Sequence, residues 1–145
     1  MSLARERIIA IARSWLGTPY HHRASVRHAG CDCIGLVRGV WRELYGREAE
    51  QAGPYTGSWA EATGNEALLS AARRHLAERM LSEAEPGDVL VFRLRDGALA
   101  KHAGILSGAD RMIHAQEGVP VSEVHLGPWW RRHRVAAFAF PGLSD

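Results

Sequence analysis

The spacing of apolar residues changes once along this chain, at Pro86, and that change constrains the fold more than any other feature. Before it the spacing is helical. Ile8, Ile9, Ala12, Trp15 and Leu16 form one stripe closed by Gly17 and Pro19, and Leu36, Val37, Val40, Trp41 and Leu44 mark a second helix ending at Gly46. A third helix runs through Leu68, Leu69, Ala72 and Leu76, with Asn65 as its N-cap. After Pro86 come short runs rich in Val, Ile and Phe: Val89 to Leu94, Ala103 to Leu106, Arg111 to Ala115, Val119 to Val124 and Val135 to Phe140. Asp96-Gly97, Gly108-Ala109-Asp110 and Glu117-Gly118 separate them, the pattern of antiparallel strands and tight turns. Helices first and a meander of strands afterwards imply an α+β domain with the helices packed on one face of the sheet. At 145 residues there is length for one core and none for a second ordinary domain, so residues 1–145 read as a single unit.

Charge narrows the partners little. Eighteen Lys and Arg against sixteen Asp and Glu give a net charge of +2, which argues for neither nucleic acid nor membrane as a partner. Arg5, Glu6 and Arg7 precede any apolar run, a pattern of neither a signal peptide nor a membrane span, so the expectation is a chain synthesised in the cytoplasm. The stretch from Arg47 to Gly64, rich in Gly, Pro, Ser and Glu, reads as an excursion over the surface.

The two cysteines, Cys31 and Cys33, are too close in sequence for an unstrained disulfide. Two free thiols beside eight histidines leave nucleophilic catalysis or metal binding. Cys33 falls at the start of the second helix, where a thiol pKa near ~8.5 can drop to roughly 3.5–7.5 beside unpaired N–H groups and an imidazolium. The same N–H groups can hold an oxyanion. Gly35 leaves room for a substrate chain. Against this stands the plainer reading of Cys33 as a small buried apolar residue. His21, His22 and His28 with Cys31 can be drawn as a zinc site, but the cysteines lack the wider loop of structural sites and no second pair follows. No metal and no cofactor is expected.

Four blocks decide between these readings: Asp32-Cys33-Ile34-Gly35-Leu36-Val37, Pro86-Gly87-Asp88-Val89-Leu90-Val91-Phe92, His102-Ala103-Gly104-Ile105 and Ile113-His114-Ala115. In kind, order and spacing they resemble the NlpC family of papain-like cell-wall cysteine peptidases. The resemblance implies Cys33 as nucleophile, His102 as base and His114 as the polar group that orients it. It also implies Tyr20 as an oxyanion partner and Asp32 as a group recognising the amino end of a peptidoglycan stem peptide. A half-buried Tyr capping the core and a plain helix N-cap are the structural alternatives for those two. A neutral His in third place orients the base without supplying charge. Ile34 departs from the family's common Ser and suggests a more apolar subsite.

The implied activity is hydrolysis of a stem-peptide amide, between D-glutamate and a diamino acid. Acyl transfer by the same chemistry and a non-catalytic tail or wall-binding module are the alternatives. The Gly30 to Trp41 segment looks like that of members encoded with phage or gene-transfer-agent tail genes, which implies tail proteins as partners and delivery to the wall on a tail or after lysis. Cys31 is expected to pack without chemistry of its own, and His75, His125 and His133 to lie at the surface. The run Trp129-Trp130-Arg131-Arg132-His133-Arg134 can stack on and pair with a partner, or form a solvated strand edge with one Trp in the core.

Overall fold

The structure, a computed structural model, describes residues 3–49, 67–95 and 98–143. Helix α1 (Arg5–Arg13) leads into a polar loop holding the short strands β1 (Ser25–Val26) and β2 (Gly30–Cys31), and then into α2 (Cys33–Tyr45). After α3 (Ala67–His75) come β3 (Ala77–Arg79), a turn of 3-10 helix (Leu81–Glu83), β4 (Val89–Phe92), β5 (His102–Gly108), β6 (Arg111–Gln116) and β7 (Val119–His125). Helix α4 (Pro128–Arg132) and strand β8 (Arg134–Ala139) complete the described chain. The main sheet is antiparallel with order β3-β8-β4-β5-β6-β7, and the α+β architecture expected from the sequence is present. The Asn65 cap, the Asp96-Gly97 turn and residues 50–64 of the surface excursion lie outside the described residues.

Alternation along the strands sorts their side chains onto two faces. Val89 and Val91, Ala103 and Ile105, Ile113 and Ala115, and Ala136 and Phe138 bury against Ile8, Ile11, Ala12 and Trp15 of the α1 region, Leu36 and Val40 of α2, and Leu68, Leu69 and Ala72 of α3. The buried stripe of the first helix is thus turned from the expected one: Ile11 is buried while Leu16 is exposed. Contact between α1 and α2 depends on Gly39, where a Cβ would come within 2.1 Å of the Trp15 ring. Leu90, Phe92, Leu106, Met112, Leu126 and Ala137 form a second cluster on the opposite face.

The three N-terminal helices pack on one face of the sheet as expected, and a further helix, α4, brings Trp130 against the smaller cluster on the other. The Trp-Arg run is therefore a short helix and not a strand edge; Gly127-Pro128 supplies its start, with proline at a first-turn position that needs no N–H partner.

Candidate active site

Helix α2 begins at the thiol because Asp32 stops the chain there. Asp32 is extended, and its Oδ1 accepts the N–H of Gly35 at 2.7 Å, a side-chain N-cap. Its Oδ2 accepts the N–H of Arg23 at 2.7 Å, and His22 Nδ1 lies 3.8 Å from the same oxygen. The carboxylate is buried, so of its two proposed uses the capping one is visible in the geometry. At the far end Gly46 takes the left-handed conformation with φ 77° and donates to the carbonyl of Arg42.

Gly35 is needed for a different reason from the one expected. A Cβ there would fall 1.9 Å from the carbonyl oxygen of Ala24, so the residue admits the preceding loop and not a substrate. The loop is fastened at that point by Asp32 N–H to Ala24 O at 3.3 Å and Ser25 Oγ–H to Gly35 O at 2.6 Å. Replacing Gly35 with Ala should therefore push the loop off the helix start, costing about 1–3 kcal/mol in urea unfolding and slowing alkylation of Cys33. Wild-type stability and reactivity in that variant would show that the loop is held by something else.

The thiol is held by the backbone at the start of β5. Hydrogen bonds of Leu106 to Asp88 and Gly87 turn the even-numbered peptide groups of β5 toward β4, so Lys101 O and Ala103 N–H face β6. The recorded pairing of β6 with β5 starts only at Gly104 opposite His114. At the opening of β5, before that pair, Cys33 Sγ–H donates to Lys101 O at 3.5 Å and the sulfur also meets the N–H of Ala103. The thiol thus rests on the backbone on both sides of His102.

His102 and His114 project from the second face of the sheet on adjacent strands. Their rings are perpendicular and joined by His102 Nε2 to His114 Nδ1 at 2.8 Å. Gly104 makes the approach possible: a Cβ there would press on Met112 Sδ at 2.9 Å and on His114 Cβ at 3.3 Å. Both imidazoles are buried, and His102 Nδ1 has no hydrogen bond among the described residues. Phe92 lies 5.8 Å from the His102 ring centre, and Trp130 lies 5.5 Å from it in a stacked orientation, 27° from parallel. Trp130 is the neighbour that sequence reasoning missed. Nothing local links it to His102, and only its place in an aromatic run marked it.

The electrostatics of the closed site differ from the expected low-pKa thiolate. Burial pushes the Cys33 thiol up to about 12, with the Asp32 charge adding to the shift, while the N–H groups of Ala103, Ile34 and Cys33 oppose it. Burial also lowers His102 to about 3, helped by His114, and lowers His114 to about 4. Loss of hydration penalises every charged form here and favours a neutral thiol and two neutral imidazoles.

The other candidates are placed as follows. Tyr20 is half-buried against the main core, its backbone bridged in parallel to Cys31. Ile34 packs partly against that core, which weakens its reading as a subsite wall. Cys31 is fully buried, its thiol pushed up to about 12 mainly by burial. His21, His22 and His28 are exposed, and among the described residues no three His, Cys, Asp or Glu are grouped to hold a metal. His125 is exposed beside Asp110, whereas His133 stacks on Trp129 and His75 meets Trp41 edge-on.

Known proteins repeat this arrangement of elements. The chain is 27% identical over 143 residues to the γ-DL-glutamyl hydrolase of Bacillus subtilis, and 28% identical over 134 residues to the murein DD-endopeptidase MepS/murein LD-carboxypeptidase of Escherichia coli. These alignments take in 94% and 91% of the chain, but only 30% and 61% of the relatives' own lengths. The crystal structure of the NlpC/p60 domain of peptidoglycan hydrolase SagA superposes with a TM-score of 0.69 at 24% identity, over 95% of this chain and all of that one, and so shows the same fold. Residues 17–138 match the model of the NlpC/P60 family. That span runs from the turn before the histidine-rich loop into the last strand and includes the thiol, both imidazoles and the tryptophan over them: the chain belongs to the NlpC/P60 family.

Proposed function

We propose that the chain is a cysteine peptidase that hydrolyses an amide in the peptidoglycan stem peptide, with Cys33 as nucleophile, His102 as base and His114 as the group that orients the base. The observation that carries this reading is the 2.8 Å contact between His102 Nε2 and His114 Nδ1, formed at the residue whose flanking backbone holds the thiol. With His102 Nε2–H donating to His114 Nδ1, Nδ1 of His102 is unprotonated and available to the thiol proton. The thiolate then attacks the amide carbon, and N–H groups at the start of α2, with the Tyr20 hydroxyl, take the oxyanion. Collapse breaks the C–N bond as His102 returns its proton to the leaving amine. Water, deprotonated by the same ring, hydrolyses the thioester to a carboxylate and restores the thiol.

The bond between D-glutamate and a diamino acid is the favoured target, in keeping with the glutamyl hydrolase named among the relatives. Asp32 serves both as cap and as recognition group for the amino end of the stem. Resemblance of the Gly30 to Trp41 segment to tail-encoded members supports a tail-associated wall hydrolase, synthesised in the cytoplasm and carried to the wall on a phage-like tail or after lysis. Tail proteins are then its partners.

Digestion of purified peptidoglycan by wild type and Cys33→Ala, followed by mass spectrometry, tests the assignment. Fragments with a new amino terminus on the diamino acid should appear with wild type and vanish with the variant. Unchanged release by Cys33→Ala would sink the reading.

A further inference from the structure

The His102 ring is stacked by an indole delivered from the short helix α4. Trp130 lies 5.5 Å from the His102 ring and nearly parallel to it, and meets His114 edge-on at 5.1 Å, so one indole spans both members of the hydrogen bond. Phe92 meets the same indole edge-on at 5.2 Å. The indole is braced from behind: Trp129 packs against it at 4.9 Å, and His133 stacks on Trp129 at 4.0 Å while its Nδ1 reaches the Trp129 carbonyl at 2.6 Å. Leu126, buried and bonded through its N–H to Asp110 O, anchors the start of this short helical segment.

We propose that Trp130 is a positioning residue of the site, an indole roof that keeps water off the His102–His114 hydrogen bond. The inference rests on the reading of His102 as base. For His102 to serve as the base the bond must run one way, with His102 Nε2–H donating and His114 Nδ1 accepting. A second proton on His114 makes that ring an imidazolium whose Nδ1–H reverses the bond, leaving the one proton of neutral His102 on its Nδ1, where it blocks the thiol. Water at the rings would favour that proton by hydrating the cation, and a stacked indole excludes it. The low values of His102 and His114, about 3 and about 4, have burial as their leading cause, and Trp130 is part of that burial.

Among the described residues no fixed charge accounts for the same effect: burial and His114 lower His102, and burial lowers His114. The titratable groups in contact across the rings, among the described residues, are the two imidazoles themselves, Cys33 of α2 being held on the backbone either side of His102; β4 presents Phe92 and α4 presents Trp130. Of the cations around α4, Arg131 is tied to the carbonyls of Leu126 and Ala109 and Arg134 to that of Arg131, Arg132 is exposed, and His133 lies on Trp129.

Histidine side-chain ¹⁵N NMR on the full chain reads both protonation and tautomer without any substrate. In wild type, His102 should show the Nε2–H tautomer, and both rings should stay neutral to about pH 5. In Trp130→Ala both should titrate more than about one unit higher, toward the ordinary ~6.5, and Trp130→Phe should stay close to wild type. A folded Trp130→Ala whose rings titrate as in wild type would overturn the proposal. If the Ala variant loses its fold, Trp130→Leu, which uncovers part of the stacked face, carries the same test: an upward shift supports the roof, and none overturns it. The parallel digestion with Cys33→Ala keeps the two readings apart, since loss of activity there with unmoved histidines in Trp130→Ala rejects the roof alone.

Discussion

Replacing His102 with Gln is expected to lower kcat/KM on stem-peptide fragments by about ten-thousand-fold while leaving the fold intact. The size follows from the charge state of the closed site. Burial holds the thiol well above its ordinary range, so at neutral pH Cys33 rests in the protonated form and has no standing thiolate to attack with. The proton must leave during the attack, and on the proposed reading it goes to His102, the residue whose flanking backbone holds the thiol. Transfer is uphill in the resting site, so the N–H groups of Ala103 and Ile34 must stabilise the developing negative charge. The pH profile has a definite sign. The base must be neutral, and burial lowers both imidazoles, so wild-type activity should hold as pH falls below the ordinary imidazole range and be lost only toward pH 4 and 3. His114→Gln keeps a group that can accept from Nε2–H and should lose far less than His102→Gln. A His102→Gln enzyme within tenfold of wild type would exclude His102 as the base.

How much of this was legible in the sequence depended on the range of the interaction concerned. Helix α2 was readable because its signals are local: Asp32 before the first turn, Leu36 and Val40 at helical spacing, and Gly46 after the last. The hairpin that carries His102 and His114 was readable for the same reason, since period-two alternation with a polar turn fixes which residues share a face. Strand β3 was not, because three exposed or half-exposed residues pair with β8 some sixty positions away and carry no periodicity of their own. Gly35 was misread because its neighbour, Ala24, is delivered by a loop with Arg23 and His28 both at positive φ, which no propensity announces. Cys33 shows the division within one residue. Its place at a helix start is written in the chain, but the burial that decides its charge comes from β5, nearly seventy residues further on.

Asp88 is where a second large effect is expected: Asp88→Asn should lower the stability of the fold by about 3–5 kcal/mol, read as a fall in the urea midpoint with an unchanged slope. The side chain is fully buried and carries a charge, an arrangement tolerated only when every lone pair is used. Arg5 Nη1 of α1 reaches Oδ1 at 2.7 Å, while Oδ2 accepts the N–H of Glu85 at 2.9 Å and faces Arg79 Nε at 3.2 Å. Asn conserves the shape but turns one acceptor into a donor and leaves two guanidinium groups facing a neutral amide. The cost is that of an amide N–H turned toward cations at a fully buried position, with the exposed Glu85, 3.5 Å from Arg5 and 3.4 Å from Arg79, left as a carboxylate partner to both. Its consequence reaches the site through β4. Asp88 O accepts the N–H of Leu106 and Gly87 N–H donates back to Leu106 O, so the network that ties α1 to the start of β4 also sets the register of β5 against it. That register places His102 opposite Phe92. A variant that keeps the wild-type urea midpoint would mean that water replaces the lost charge at Asp88. Loss of stability with Cys33 alkylation unchanged below the unfolding transition would locate its role in fastening the fold and not in shaping the site.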